Sequence, residues 1–277
     1  MTTLGESLRR HDRDRYLTTL FAPSDRRAAL VALYSFNFEV AKTREVVHEA
    51  LLGHIRLQWW REAIDEVYCG ATVRRHEVVE PLADAIRRFD LTRYHFDRLI
   101  EARAADLDDA PPASLAAFET YAEETSSRLI FLALEILGTR EPAAVEAGRH
   151  IGIAWALVGL IRALPMHLRM RRQTLPADMM KETGVDEAGL LELKPSPELA
   201  ALVGRLADTA QAHLASAAAL RRDVPRNAVA ALLPATLART HLRRIAKAEN
   251  NPFDPSLAQP DNLASWRLAA AALRGRV

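Results

Sequence analysis

The chain is predicted to be all-α. Two observations carry this: apolar residues recur at helical spacing over long stretches, and alternating apolar runs bounded by turn signals are almost absent. With 49% hydrophobic residues in a chain of 277, there is ample material for a buried core. Helices are expected near 5–20, 26–47, 51–69, 77–89, 92–107, 114–137, 141–165, 197–221, 227–248 and 262–273. Their boundaries have physical causes. Pro23 breaks the chain before Ser24, which can cap the next helix. Pro111 and Pro112 stop one helix, and Ser114 caps another. Pro165 is expected to close the apolar helix that begins near 141. Residues 169–197 carry Pro176, Gly184, Gly189 and Pro195 and are the least helical part. They read as an ordered flap inside one domain spanning 1–277, because the helices on both sides have wide apolar faces that need partners. No internal repeat of fixed period is present.

Thirty-seven Lys and Arg nearly balance thirty-six Asp and Glu, so the net charge of +1 gives no global attraction to nucleic acid or an anionic membrane. No nucleic-acid partner is expected. Basic sites must be local: Arg169, Arg171 and Arg172 form one cluster, and Arg239, Arg243 and Arg244 another. Each cluster reads either as a solvated face or as a lipid contact, at about 1 kcal/mol per basic residue near an anionic surface. The single cysteine, Cys69, has no partner for a disulfide or a CxxC zinc site, reads as a half-buried helical residue and fits a reducing compartment. The opening MTTLGESLRRHDRDRY has no apolar stretch of a signal peptide. The longest uncharged apolar run, Ile151 to Ile161, is shorter than the ~20 residues that span a bilayer, so it reads as a core helix. A cytoplasmic location without a membrane-spanning helix is the expectation.

Two segments stand out. Residues 151–167 read IGIAWALVGLIRALPMH, and residues 32–49 read ALYSFNFEVAKTREVVHE. Both resemble the aspartate-rich helices of the squalene/phytoene synthase family. The family's second motif runs Gly-x-Ala-x-Gln-x-x-Asn-x-x-Arg-Asp-x-x-x-Asp. Gly152, Ala154 and Arg162 match it, while the Gln, Asn and two Asp positions hold Ala156, Gly159, Ala163 and His167. In the first motif, the three aspartate positions fall on Ala41, Lys42 and Glu45, with Glu39 just upstream.

The resemblance implies an isoprenoid synthase-type bundle, with the two motif helices facing each other across a central cavity. It also implies a loss. Magnesium requires hard oxygen ligands, and in diphosphate ionisation it neutralises the charge building on the leaving group. Two Ala, a Lys, a His and a Glu in place of five aspartates cannot assemble that cluster. No catalytic residue, metal or cofactor is therefore expected, and magnesium enters only if the chain is an active head-to-head prenyl transferase with unusual ligands.

Further blocks narrow the resemblance. Phe36-Asn37-x-Glu39, Arg44-Glu45, Arg56 to Arg61 (RLQWWR), Leu107-Asp108-Asp109, Tyr121 to Ser127 (YAEETSS) and Arg162-Ala163-x-Pro165-x-His167 together look like one branch, which also lacks the aspartates. That branch comprises the phytoene-synthase-like assembly factors of respiratory complex I. The similarity continues through Leu175-Pro176 and Gly184-Val185 to Phe253-Asp254-Pro255-Ser256-Leu257. It implies a non-catalytic role in complex I assembly, protein partners that are subunits or other assembly factors, and peripheral contact with the inner face of the membrane. A cavity protein carrying a lipid, a quinone or a prenyl diphosphate is compatible with the same scaffold.

Individual residues have competing readings. Trp59 and Trp60 cannot face the same way on a helix, so one is expected in the core and the other at a surface. Glu39 and Arg61 read either as a buried pair or as part of a ligand site. Arg162, following eleven uncharged residues, is expected to face the cavity, where a guanidinium can grip phosphate. Arg44, Gln58 and Asp106 are further candidate cavity contacts; Asp106, in the acidic run to Asp109 that ends a helix, reads either as a solvated helix terminus with a partner such as Arg103 or, as the family similarity implies, as pointing inward. Lys42 offers a cation near the former metal position, and His167 sits where it can satisfy carbonyls at a helix end. Glu45 and His48 have the spacing of half a di-iron motif, but no second such pair exists. HExxH, Walker A, GxGxxG and GxSxG patterns are also absent.

Overall fold

The computed structural model describes residues 3–47 and 49–275, among which there is no β-strand. The helices are α1 (Thr3–His11), α2 (Arg13–Thr19), α3 (Ser24–Ala41), α4 (Thr43–Val46), α5 (Ala50–Tyr68), α6 (Val79–Phe89), α7 (Arg93–Ala102), α8 (Leu115–Ala122) and α9 (Arg128–Ile136). They continue as α10 (Pro142–Arg169), α11 (Ala177–Thr183), α12 (Glu187–Leu191), α13 (Pro197–Ala219), α14 (Val229–Leu232), α15 (Pro234–Lys247), α16 (Pro255–Ala258) and α17 (Ala264–Arg274).

Several expected helices are subdivided, each for a local reason. The first breaks at Asp12, whose side chain accepts from the Arg15 amide and caps α2. The expected 92–107 helix tightens into a 3-10 turn over Arg103–Leu107. Ser114 caps α8 as expected, accepting from the Ala117 amide. The 114–137 helix is then interrupted by a π turn at Glu123–Ser127. Pro234 starts α15 after the short α14.

Pro165 does not end α10, which runs on to Arg169. An interior proline costs about 3 kcal/mol. Leu164 and Leu168, buried on either side of it, keep the helix docked and offset that cost. Cys69 is exposed rather than half-buried, because it lies past the last turn of α5.

α10 is the central element. It packs against α13, α15, α9 and the π turn. Close approach to the π turn depends on Gly152, where an added Cβ would lie 2.5 Å from Ser127 Cα and 2.6 Å from its amide nitrogen. In length and composition α10 could cross a membrane, but more than half of its most apolar window is buried by the surrounding helices, as in a core helix. On the other side of the bundle Trp60 meets Phe36 edge-on at 5.3 Å, and Phe36 meets Phe96 at 5.4 Å. Trp59 is the outer member of the pair, with the Arg74 guanidinium 4.8 Å from its ring.

The 169–197 segment contains α11 and α12 and is tied down. Leu175, Met179 and Leu190 are buried, and the Ala177 amide donates to the Pro112 carbonyl at 2.9 Å. This places residues 172–174 over the space between α8, α10 and the Arg103–Leu107 turn.

Candidate functional site

That space is a cavity of about 570 Å³, within the usual range for small-molecule sites. α10 supplies Trp155, Ala156, Gly159, Leu160 and His167, while α3 and α4 supply Ala41 and Glu45. The two motif segments thus face a common cavity. Phe118 and Tyr121 of α8, Thr125 and Ser126 of the π turn, and Arg103 and Asp106 of the 3-10 turn complete much of the wall.

The polar centre of this wall is Asp106. It accepts from Arg103 Nη1 at 3.1 Å, from Arg172 Nη2 at 2.8 Å and from the Tyr121 hydroxyl at 2.9 Å. Arg103 Nη1 also donates to the Tyr121 oxygen at 2.7 Å. Burial pushes the Asp106 carboxyl upward, but the adjacent guanidiniums of Arg103 and Arg172 outweigh it and hold the group below its ordinary range. Burial likewise keeps Tyr121 protonated. His167 donates to or accepts from Thr174 Oγ1 at 3.2 Å. Burial, reinforced by the Arg172 charge, pushes its imidazole down to about 4, so the ring is neutral near pH 7.

Other expected cavity residues lie elsewhere. Glu39 does not meet Arg61; it accepts from Arg56 at 2.7 Å and Lys42 at 2.5 Å. Lys42 is thereby engaged at its own helix end, sharing Glu39 with Arg56, with its ammonium 4.8 Å from the Phe38 ring, and it is not a cavity-wall residue. Arg44 reaches Asp109 at 2.6 Å. Gln58 is exposed, and Arg61 donates to Gln58 at 3.4 Å. The cause is the buried stripe of α5, Leu57, Trp60, Ile64 and Val67, which turns positions 58 and 61 outward.

Arg162 also fails to face the cavity. It leaves the outer side of α10 and pairs with Asp14 of α2 at 3.4 Å, beside His241. Ala163 is half-buried outside the cavity wall. His48 lies outside the described residues, so the Glu45–His48 spacing has no geometry to report. Of the two basic clusters, Arg172 is committed to Asp106, Arg244 donates to the Gln259 carbonyl at 2.7 Å, and Arg239 is half-buried.

Sequence reasoning missed Arg172 as a cavity residue. Its partner Asp106 is far away in the chain, and only the docking of the 169–197 segment joins them. Arg103 was accessible as the residue one turn before Asp106. Ser126 belongs to the block that carried the resemblance, but the π turn that swings it to the wall has no sequence signature.

The cavity does not suit magnesium. Glu45 and Asp108 are exposed carboxylates at its edge, Asp106 is saturated by guanidiniums, and Ala41, Ala156 and Gly159 offer no side-chain oxygen. Among the described residues, no three His, Cys, Asp or Glu side chains are grouped to hold a metal ion.

The squalene/phytoene synthase family model matches residues 8–269. Complex I assembly factor 6 of Rattus norvegicus is 33% identical over 95% of this chain and 80% of its own length. The presqualene diphosphate synthase of Sinorhizobium fredii is 22% identical over 83% of this chain and 79% of its own length. The crystal structure of a dehydrosqualene synthase with a ligand superposes with a TM-score of 0.85 at 18% identity, covering 98% of this chain and 94% of that one. That likeness carries the fold alone. The chain belongs to the squalene/phytoene synthase family, and its identity to complex I assembly factor 6 exceeds its identity to the presqualene diphosphate synthase.

Proposed function

We propose that this protein acts in the assembly of respiratory complex I and does so without metal-dependent prenyl transfer. The observation that carries the reading is the 33% identity over 95% of the chain to rat complex I assembly factor 6. The cavity supports its second half. Where prenyl transfer would need carboxylates on two facing helices, α10 presents Ala156, Gly159 and a neutral His167, and α3 presents Ala41. A diphosphate bound there would carry about three negative charges with no divalent ion to offset them.

The partners in this reading are proteins: an immature complex I subunit or another assembly factor, met at the inner face of the membrane by peripheral contact from a cytoplasmic protein. No cofactor is required. Deletion of the gene in its host, followed by NADH:quinone oxidoreductase measurement on isolated membranes, tests the assembly role. Reduced activity restored by the intact gene is expected. Unchanged activity would contradict the proposal.

A further inference from the structure

The cavity has features that an idle relic of a synthase would not keep. Gly159 faces it from mid-helix, and a Cβ built there meets no atom within 4 Å. Glycine in a helix interior costs about 1 kcal/mol relative to alanine, and no packing in this structure accounts for that cost. Together with Ala41 and Ala156 it keeps space open between Phe118, Trp155 and Leu160. Part of the cavity wall is therefore an apolar slot.

Another part of the wall is charged: the carboxylates of Glu45 and Asp108 are exposed at the cavity's edge, and around the buried Asp106 the charges do not cancel locally. Arg103 and Arg172 share one carboxylate, Asp106, which leaves this cluster at +1. Arg15, the other basic residue of the wall, is already matched by Asp12 at 2.7 Å. His167 adds no charge near neutral pH. A desolvated positive charge without a counter-charge is costly.

Hydrogen bonding points the same way. The bonds that Arg103 and Arg172 make to Asp106 and Tyr121 use one nitrogen of each guanidinium. Arg103 Nε and Ser126 Oγ are buried without any partner, although both residues belong to the cavity wall. Buried polar groups are rarely left unmet, and two such atoms on the wall of one cavity give a bound polar group donors to engage.

We propose that the cavity binds a single-chain amphiphile with a singly charged anionic head, of the long-chain carboxylate class, its head on Arg103 and Arg172 and its chain against Phe118, Trp155 and Gly159. One negative charge neutralises the cluster, and the hydrocarbon chain fills the slot. A diphosphate overshoots that charge, in a cavity whose edge already carries the carboxylates of Glu45 and Asp108. A neutral alcohol leaves the guanidiniums unmatched. The site is independent of the assembly role and needs no metal.

Calorimetry on the full chain in EDTA tests it, with dodecanoate as the probe and dodecanol and farnesyl diphosphate as comparisons. Dodecanoate is expected to bind one per chain, about tenfold or more tighter than either comparison, the scale of a charge-assisted hydrogen bond. Gly159→Leu places its side chain in open space, so the fold should survive, which circular dichroism checks. It should weaken dodecanoate binding at least about tenfold. Ala156→Phe is a second filling variant on the same wall, expected to act likewise. Absence of dodecanoate binding, equal or tighter binding of dodecanol or farnesyl diphosphate, or unchanged affinity in both filling variants would each overturn the proposal.

Discussion

Replacing Asp106 by asparagine removes the one anion from a cluster that also holds two guanidiniums and a phenol, while nearly preserving shape. The Asp106, Arg103 and Arg172 side chains are 12%, 18% and 21% exposed, so water can do little to screen the two positive charges left behind. An asparagine oxygen can still accept from two donors, but its amide nitrogen must face the third, a guanidinium or the Tyr121 hydroxyl. Breaking a fully buried pair costs about 3–5 kcal/mol, and the residual exposure of both arginines favours the lower end, about 3 kcal/mol. Urea unfolding followed by circular dichroism reads this directly, provided the slope with denaturant is unchanged. The sign with pH also follows. Because the folded-state carboxyl is held below its ordinary value, its contribution is present above the unfolded value of about 3.9 and is lost as pH falls through the folded one. The gap between the parent and Asp106→Asn should therefore be constant from pH 7 to 5 and close in stronger acid. A loss below about 1 kcal/mol at pH 7 would refute the reasoning, since that is the worth of an exposed pair.

Three further outcomes are expected. Gly152→Ala drives a methyl group into the Ser127 backbone and should destabilise by about 1–3 kcal/mol in the same urea assay. Gly159→Ala meets open space and should stabilise by about 0.8–1 kcal/mol, seen as a raised thermal midpoint. Burial holds the folded-state imidazoles of His167 and His95 at about 4, so the unfolded chain binds more protons below its own value of about 6.5. Stability should thus be full above pH 6.5 and fall as pH drops toward 4. Each group contributes up to about 3 kcal/mol, and His167→Gln should remove its share of that slope, measured as urea midpoints at pH 7.5 and 5.

The sequence carried the fold class because helical periodicity is a local property, and the stripes that define it are the surfaces that pack. Leu57, Trp60, Ile64 and Val67 form such a stripe, and the same spacing shows that Gln58 and Arg61 point away from the core. Reading those two as cavity contacts gave a family block more weight than its own periodicity. Arg162 is a similar case: Leu157, Val158, Ile161, Leu164 and Leu168 are the buried side of α10, which leaves position 162 beside Asp14. The uncharged run before it marks a core helix and says nothing of where the next residue points. Pro165 misled in the opposite direction, since tertiary packing outweighed a local breaker. The cavity's motif residues were legible through resemblance, but its electrostatic centre was not. Asp106 and Arg172 meet only after the 169–197 segment docks under the Pro112 carbonyl, a contact between distant stretches with no periodic signature.

α3–α4 and α10 line one cavity with too few free carboxylates to hold magnesium against a prenyl diphosphate. Pyrophosphate release by the purified chain from farnesyl and geranylgeranyl diphosphate, with excess magnesium, addresses it most directly. The expected result is no release above a protein-free control, unchanged by Glu45→Gln. Magnesium-dependent turnover that Glu45→Gln abolishes would contradict the account.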